Sequence, residues 1–124
     1  MANVVLSGGP TPGRMVTCAP KTAWTDPAVG DLVILDATGN YFVDQCADTE
    51  RVDGIVRAVG KGLDILTVEL FTAGCIARLP YSVAPALGNQ PRASATPGAV
   101  KAGGGKGVVI GLDVVSGTVD VLYL

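Results

Sequence analysis

The stretch Leu63-Asp64-Ile65-Leu66-Thr67-Val68-Glu69-Leu70-Phe71-Thr72-Ala73 decides the fold class, because it is one of two windows long enough, without Gly or Pro, to make a helix. Its pattern refuses one. Leu66, Val68 and Leu70 alternate with Thr67 and Glu69, which is the period of two of a strand with one face turned inward. The other window, residues 40–53, begins with the strand-like Tyr41-Phe42-Val43 and then passes through Asp44, Asp48, Glu50 and Asp53, leaving space for one helical turn at most. Elsewhere the 17 Gly and 8 Pro cut the chain into pieces too short for helices.

Working outward, residues 14–18, 31–36, 54–59, 74–79, 107–115 and 118–124 are short, Val-rich strand candidates. Asp36-Ala37-Thr38-Gly39-Asn40 joins two strands as a hairpin loop, with Gly39 and Asn40 suited to positive φ. Ser116-Gly117 is expected to join the last two as a two-residue hairpin. The fold class is therefore all-β: a small β-barrel or tulip-like β body of seven or eight short strands, with an extended N-terminal arm and a long Pro- and Gly-rich loop.

The arm occupies residues 1–20 and the body residues 21–124. Within the arm, Val4-Val5-Leu6 precedes Ser7-Gly8-Gly9-Pro10-Thr11-Pro12-Gly13, a run that resists a ladder because its prolines lack the donor and its glycines raise the entropy cost. Residues 80–106 carry four prolines and Gly103-Gly104-Gly105, and read as a long excursion with Val83, Leu87 and Val100 as its few sizeable aliphatic anchors.

Length and composition bound the function. A chain of 124 residues, 48% of them hydrophobic, holds one domain with enough apolar material for a core. No apolar run approaches the roughly 18 residues of a membrane span, and the N-terminus lacks the basic and apolar regions of a secretory signal. Nine Lys and Arg, scattered singly, against eleven Asp and Glu make a poor footprint for nucleic acid, which demands clustered cations. Cys18, Cys46 and Cys75 stand far apart in an odd count and read as free thiols.

The chain has no histidine, which removes Ser-His and Cys-His catalysis together with the commonest metal ligand. Gly103-Gly104-Gly105-Lys106-Gly107 lacks the distant Gly, the following Ser or Thr and the helix of a phosphate loop. Asp36-Ala37-Thr38-Gly39 misses the spacing of a proteolytic Asp-Thr-Gly, and the acidic residues 44–53 miss the spacing of a calcium loop. No cofactor, no metal and no catalytic residue is assigned, and the chain reads as a binding or structural module, not an enzyme. Trp24, where the arm meets the body, is read as a core plug, with an interface anchor as the alternative.

Pro27-Ala28-Val29-Gly30-Asp31-Leu32-Val33, Val52-Asp53-Gly54-Ile55-Val56-Arg57-Ala58-Val59-Gly60, Leu66-Thr67-Val68-Glu69-Leu70-Phe71, and the closing segments from Gly107 to Asp113 and Thr118 to Leu122 occur in an order that resembles the head-decoration, or capsid cement, proteins of tailed bacteriophages. The resemblance spans residues 27–124. It implies a β body with an arm, seated on the outer surface of the expanded head in the virion, binding the major capsid protein and clamping neighbouring subunits. Self-association as a homotrimer is expected ahead of a homodimer. On this reading Val4, Val5, Leu6 and Trp24 contact the capsid, and Tyr81, Val83, Leu87 and Val100 serve self-association or a second capsid contact. The competing reading is a small ligand-binding barrel for a carbohydrate or metabolite, which the scarcity of aromatic residues disfavours.

Overall fold

The structure, a computed structural model, describes residues 10–124, and these form ten strands and no helix. Five strands close a barrel: β1 (Arg14–Pro20), β2 (Leu32–Asp36), β3 (Phe42–Gln45), β4 (Gly54–Val59) and β5 (Leu66–Leu70), in the spatial order β1-β3-β2-β4-β5. Closure depends on β1. Its first residues pair antiparallel with β5, from Arg14 opposite Leu70 to Cys18 opposite Leu66, and its last two pair parallel with β3 at Phe42 and Val43.

Residues 14–20 therefore belong to the body, and the boundary expected at residue 21 moves back to residue 14. The cause is the uninterrupted Met15-Val16-Thr17-Cys18, which supplies every donor that the β5 ladder needs.

The alternation in β5 operates as its sequence suggests: Leu66 and Val68 are fully buried and meet Cys18, Trp24, Val33, Val43 and Val56 inside the barrel. A second core lies beside it. There β6 (Ile76–Pro80), β9 (Gly107–Asp113) and β10 (Thr118–Tyr123) form a sheet of order β6-β10-β9, which turns Ala77, Leu79, Val109, Val119, Val121 and Tyr123 inward. The barrel contributes Leu32 and Ile55, a directly opposed pair, to this second core, while their neighbours Val33 and Val56 point into the barrel. The β2–β4 wall is thus buried on both faces, which is why it reads as a continuous apolar run.

The excursion of residues 80–106 is more ordered than its composition implies. It contains β7 (Pro91–Ala93) and β8 (Val100–Ala102), a two-stranded hairpin that lays Ala93 and Val100 over the second core. Strands of three residues give no readable period. Pro91 is tolerated because it opens its strand.

Two turns depart from expectation. Between β2 and β3 the left-handed residue is Tyr41, at φ 59°, instead of Gly39 or Asn40. Asp36 Oδ1 accepts from the N–H and hydroxyl of Thr38, closing the loop at its start and deferring the left-handed step to the residue before β3. Between β9 and β10 the loop has four residues, since Asp113 pairs with Thr118. Asp113 Oδ1 accepts from the N–H groups of Val115 and Ser116 at 3.0 and 3.2 Å, and Gly117 alone takes positive φ, at 72°. A two-residue type I′ turn would have required positive φ at Ser116 as well.

Candidate interaction surface

Where the arm meets the body it is tied at two points. Thr11 and Ile76 exchange both backbone hydrogen bonds, each 3.0 Å, so the chain runs antiparallel to the start of β6. Two residues on, the N–H of Gly13 donates to Glu69 Oε2 at 2.8 Å. A side chain at residue 13 would run into the carbonyl oxygen of Leu70, so glycine is the residue that lets the arm come so close. Glu69 points away from the barrel interior yet is 4% exposed, because the arm covers it. Its other oxygen receives Arg57 Nε at 2.7 Å, and the bulge between Val56 and Ala58 sets Arg57 beside it.

The expected contact residues Val4, Val5 and Leu6 lie outside the described residues. Trp24 is inside the barrel core at 6% exposure and offers no side chain to a partner; its indole N–H, which usually finds an acceptor when buried, has none among the described residues. Its apolar neighbours Val33, Val43, Leu66 and Val68 explain the position: the ring fills the volume that five short strands leave open.

The second expected set divides. Val100 is fully buried and Tyr81 half-buried beside it, joined by a backbone bridge, so both serve the second core. Val83 and Leu87 are exposed, at 68% and 64%.

Those two flank a feature that the sequence reading missed. The N–H of Tyr81 donates to the carbonyl of Gly117, and the N–H of Gly88 to that of Val109, so the segment 81–88 begins at the tip of the β9–β10 hairpin and ends at the outer edge of β9. Along that edge Ile110, Leu112, Val114 and Val115 are all exposed, Val115 by 94%. The result is an apolar margin on an outer strand. A signal was present: the loop Val114-Val115-Ser116-Gly117 places two valines where turns favour Gly, Asn, Asp or Ser, so turn geometry does not account for them. Asp113, the charged residue of this margin, is held below the usual carboxylate range by the N–H of Ser116 and stays ionised.

Several charged groups are committed locally. Arg78 makes a two-pronged pair with Asp120 across β6 and β10, and Lys101 pairs with Asp48. An open concavity lined by Ile34, Thr49, Glu50, Arg51 and Arg92 has no aromatic wall, and its arginines are engaged by Asp53 and by the Thr49 carbonyl. Among the described residues no group of three His, Cys, Asp or Glu side chains converges as a metal site. All three cysteines are free, and burial pushes each thiol up, that of Cys46 to about 12. Such thiols are poor nucleophiles at neutral pH.

No protein-family model, no curated protein and no solved structure matches this chain.

Proposed function

We propose that the protein is a decoration protein of a tailed-bacteriophage head, binding the outer surface of the expanded shell in the virion and clamping adjacent copies of the major capsid protein against the pressure of packaged DNA. The reading begins from the sequence resemblance. The observation that supports it further is the tethering of the arm: two backbone bonds at Ile76 and one bond from the Gly13 N–H to the Glu69 carboxylate fix where Thr11 to Gly13 leave the body. A segment held at its base presents Val4, Val5 and Leu6 to a neighbouring strand with less ordering cost than a free tail.

A subunit of this size buries modest area on each capsid neighbour, so a useful clamp relies on several weak contacts acting together. Self-association supplies them, because linked subunits rebind at high effective concentration. The exposed apolar margin of β9 and residues 83 and 87 gives such an assembly a second contact besides the arm.

The test is co-sedimentation of the full chain with expanded and unexpanded shells of the phage concerned. Near-stoichiometric binding to expanded shells alone supports the proposal, and a variant lacking residues 2–9, which keeps both tethers, should fold but no longer decorate. A monomer that binds neither shell would discard the capsid role in favour of a small ligand-binding barrel.

A further inference from the structure

We infer that the concavity lined by Ile34, Thr49, Glu50, Arg51 and Arg92 binds a small carboxylate that carries a hydrogen-bond donor beside its carboxyl group, the chemistry shared by hydroxy acids and peptide C-termini. The inference does not rest on the capsid reading.

The glycine run of residues 103–105 brings Arg92 to this place. A side chain at Gly103 would press on Cβ, Cγ and Cδ of Arg92, and one at Gly105 would collide with the carbonyl oxygen of Pro91. Glycine at both positions lets the chain lie against β7 beneath the stem of Arg92, with the N–H groups of Gly103 and Gly104 donating to the Gln90 carbonyl. The guanidinium reaches the loop between β3 and β4, where Nη1 donates to the Thr49 carbonyl at 3.1 Å.

Arg51 is held by a different device. Its Nε donates to both oxygens of Asp53, at 3.1 and 3.2 Å, and Asp53 is fixed in turn by the N–H of Leu35 on β2 at 2.8 Å. Each guanidinium is thus positioned through a single nitrogen. Both terminal nitrogens of Arg51, and Nε and Nη2 of Arg92, have no partner among the described residues. Two oriented guanidiniums on one concavity suit the planar oxygen pair of a carboxylate.

Between them Thr49 takes φ 69°, a left-handed conformation in which a β-branched residue is an outlier. Its N–H is held by the Ala93 carbonyl at 2.9 Å and its own carbonyl by Arg92, while the Ala93 N–H returns to the Glu50 carbonyl at 3.0 Å. Backbone strain that neighbours over-determine in this way clusters at binding sites.

Glu50 narrows the ligand class. Its Oε1 accepts the N–H of Ala47 at 2.7 Å, and its Oε2 has no donor among the described residues, so a well-matched ligand brings a donor as well as an anion. The formal charges of Arg51 and Arg92 are already balanced by Asp53 and Glu50, which favours a monoanion over a phosphate dianion. The lack of an aromatic wall disfavours a sugar ring or a nucleobase.

The experiment is an NMR titration of the full chain, read at its backbone amides and arginine Nε–H groups. Lactate, N-acetylglycine, acetate and phosphate are added into the millimolar range at constant ionic strength, which holds screening fixed. Saturable shifts confined to residues 47–53 and Arg92 are expected with lactate or N-acetylglycine, and weaker binding with acetate and phosphate. Tighter binding of lactate identifies a free hydroxy acid as the natural ligand, and tighter binding of N-acetylglycine a peptide terminus. Arg51→Gln and Arg92→Gln should each weaken binding about tenfold or more, the loss of a charge-assisted bond. Arg51→Gln leaves the β7–β8 hairpin untouched, so it tests the site even if Arg92→Gln loosens that hairpin. Lys61→Gln, which removes an exposed charge on the β4–β5 turn, should leave binding unchanged. Shifts that do not saturate, phosphate or acetate binding as tightly as lactate and N-acetylglycine, or an equal loss in Lys61→Gln would overturn the inference.

Discussion

One carboxylate oxygen of Glu69 accepts the backbone N–H of Gly13 at 2.8 Å, joining the middle of β5 to the base of the arm across 56 residues of sequence. The other oxygen is held by Arg57. A buried carboxylate is tolerated when its lone pairs are met by charge and by donors, and here both conditions hold. The arm thereby shields an ion pair that would otherwise be a weak surface contact, and the ion pair in turn fixes the course of the arm.

Glu69→Ala removes the acceptor from the Gly13 N–H and from a guanidinium that keeps 42% of its side chain in water. The expected cost is about 1–3 kcal/mol, toward the lower figure because Arg57 can rehydrate. Hydrogen exchange at the Gly13 amide should accelerate while the amides of Val56 and Val68 stay protected. Unchanged exchange at Gly13 would show that the Thr11–Ile76 pair alone holds the arm.

The two cores share the β2–β4 wall, so they should not melt apart. Leu66→Ala opens the barrel core and Leu79→Ala the second core, both from fully buried positions. Each should cost about 2–5 kcal/mol and lower one common transition. Calorimetry that resolves two transitions in either variant would show that the barrel and the β6-β10-β9 sheet unfold independently.

The strands that were legible in the sequence are those whose core face repeats every second residue, as in β5, or whose two faces are both apolar, as at Leu32-Val33 and Ile55-Val56. β7 and β8 were not, because three residues hold less than two periods and Pro91 argues locally against a ladder. Tyr41 took a left-handed turn that Gly39 and Asn40 seemed built for, since the Asp36 bond to Thr38 fixed the start of the loop. Among the contact residues, Val83 and Leu87 proved exposed while Val100 and Trp24 were consumed by packing. An isolated aliphatic in a loop carries no mark of which side it faces; that is decided by the strands it crosses.

Alkaline solution should destabilise the fold. Burial pushes the Cys46 thiol from 9.0 to about 12 and raises those of Cys18 and Cys75, as well as the Tyr123 phenol. These groups favour their neutral forms when folded, so their contribution is intact below pH 9 and is lost as the pH climbs from there toward 12, where the unfolded chain gives up protons that the native one keeps. Denaturant midpoints should fall over that window. A thiol reagent at pH 8 should label the native protein slowly and all three cysteines at once in denaturant; fast native labelling of Cys46 would mean that its contact with the Arg51 carbonyl opens readily.

Trp24 offers a reading of whether binding reshapes the barrel. It is the protein's one tryptophan, it lies among Cys18, Val33, Val43, Val56, Leu66 and Val68, and its indole N–H lacks an acceptor among the described residues. Emission should therefore be blue-shifted and poorly quenched by acrylamide in the free protein. If partners engage the arm and the β9 edge, as proposed above, both properties should persist unchanged on self-association and on shell binding, because neither contact reaches the barrel interior. Trp24→Phe should retain the same oligomeric state and the same partner binding, losing stability by about 1–3 kcal/mol from the vacated volume, partly offset by removal of an unsatisfied N–H. A red shift on binding, or a Phe variant that folds but cannot bind, would instead make Trp24 a contact residue released from the core.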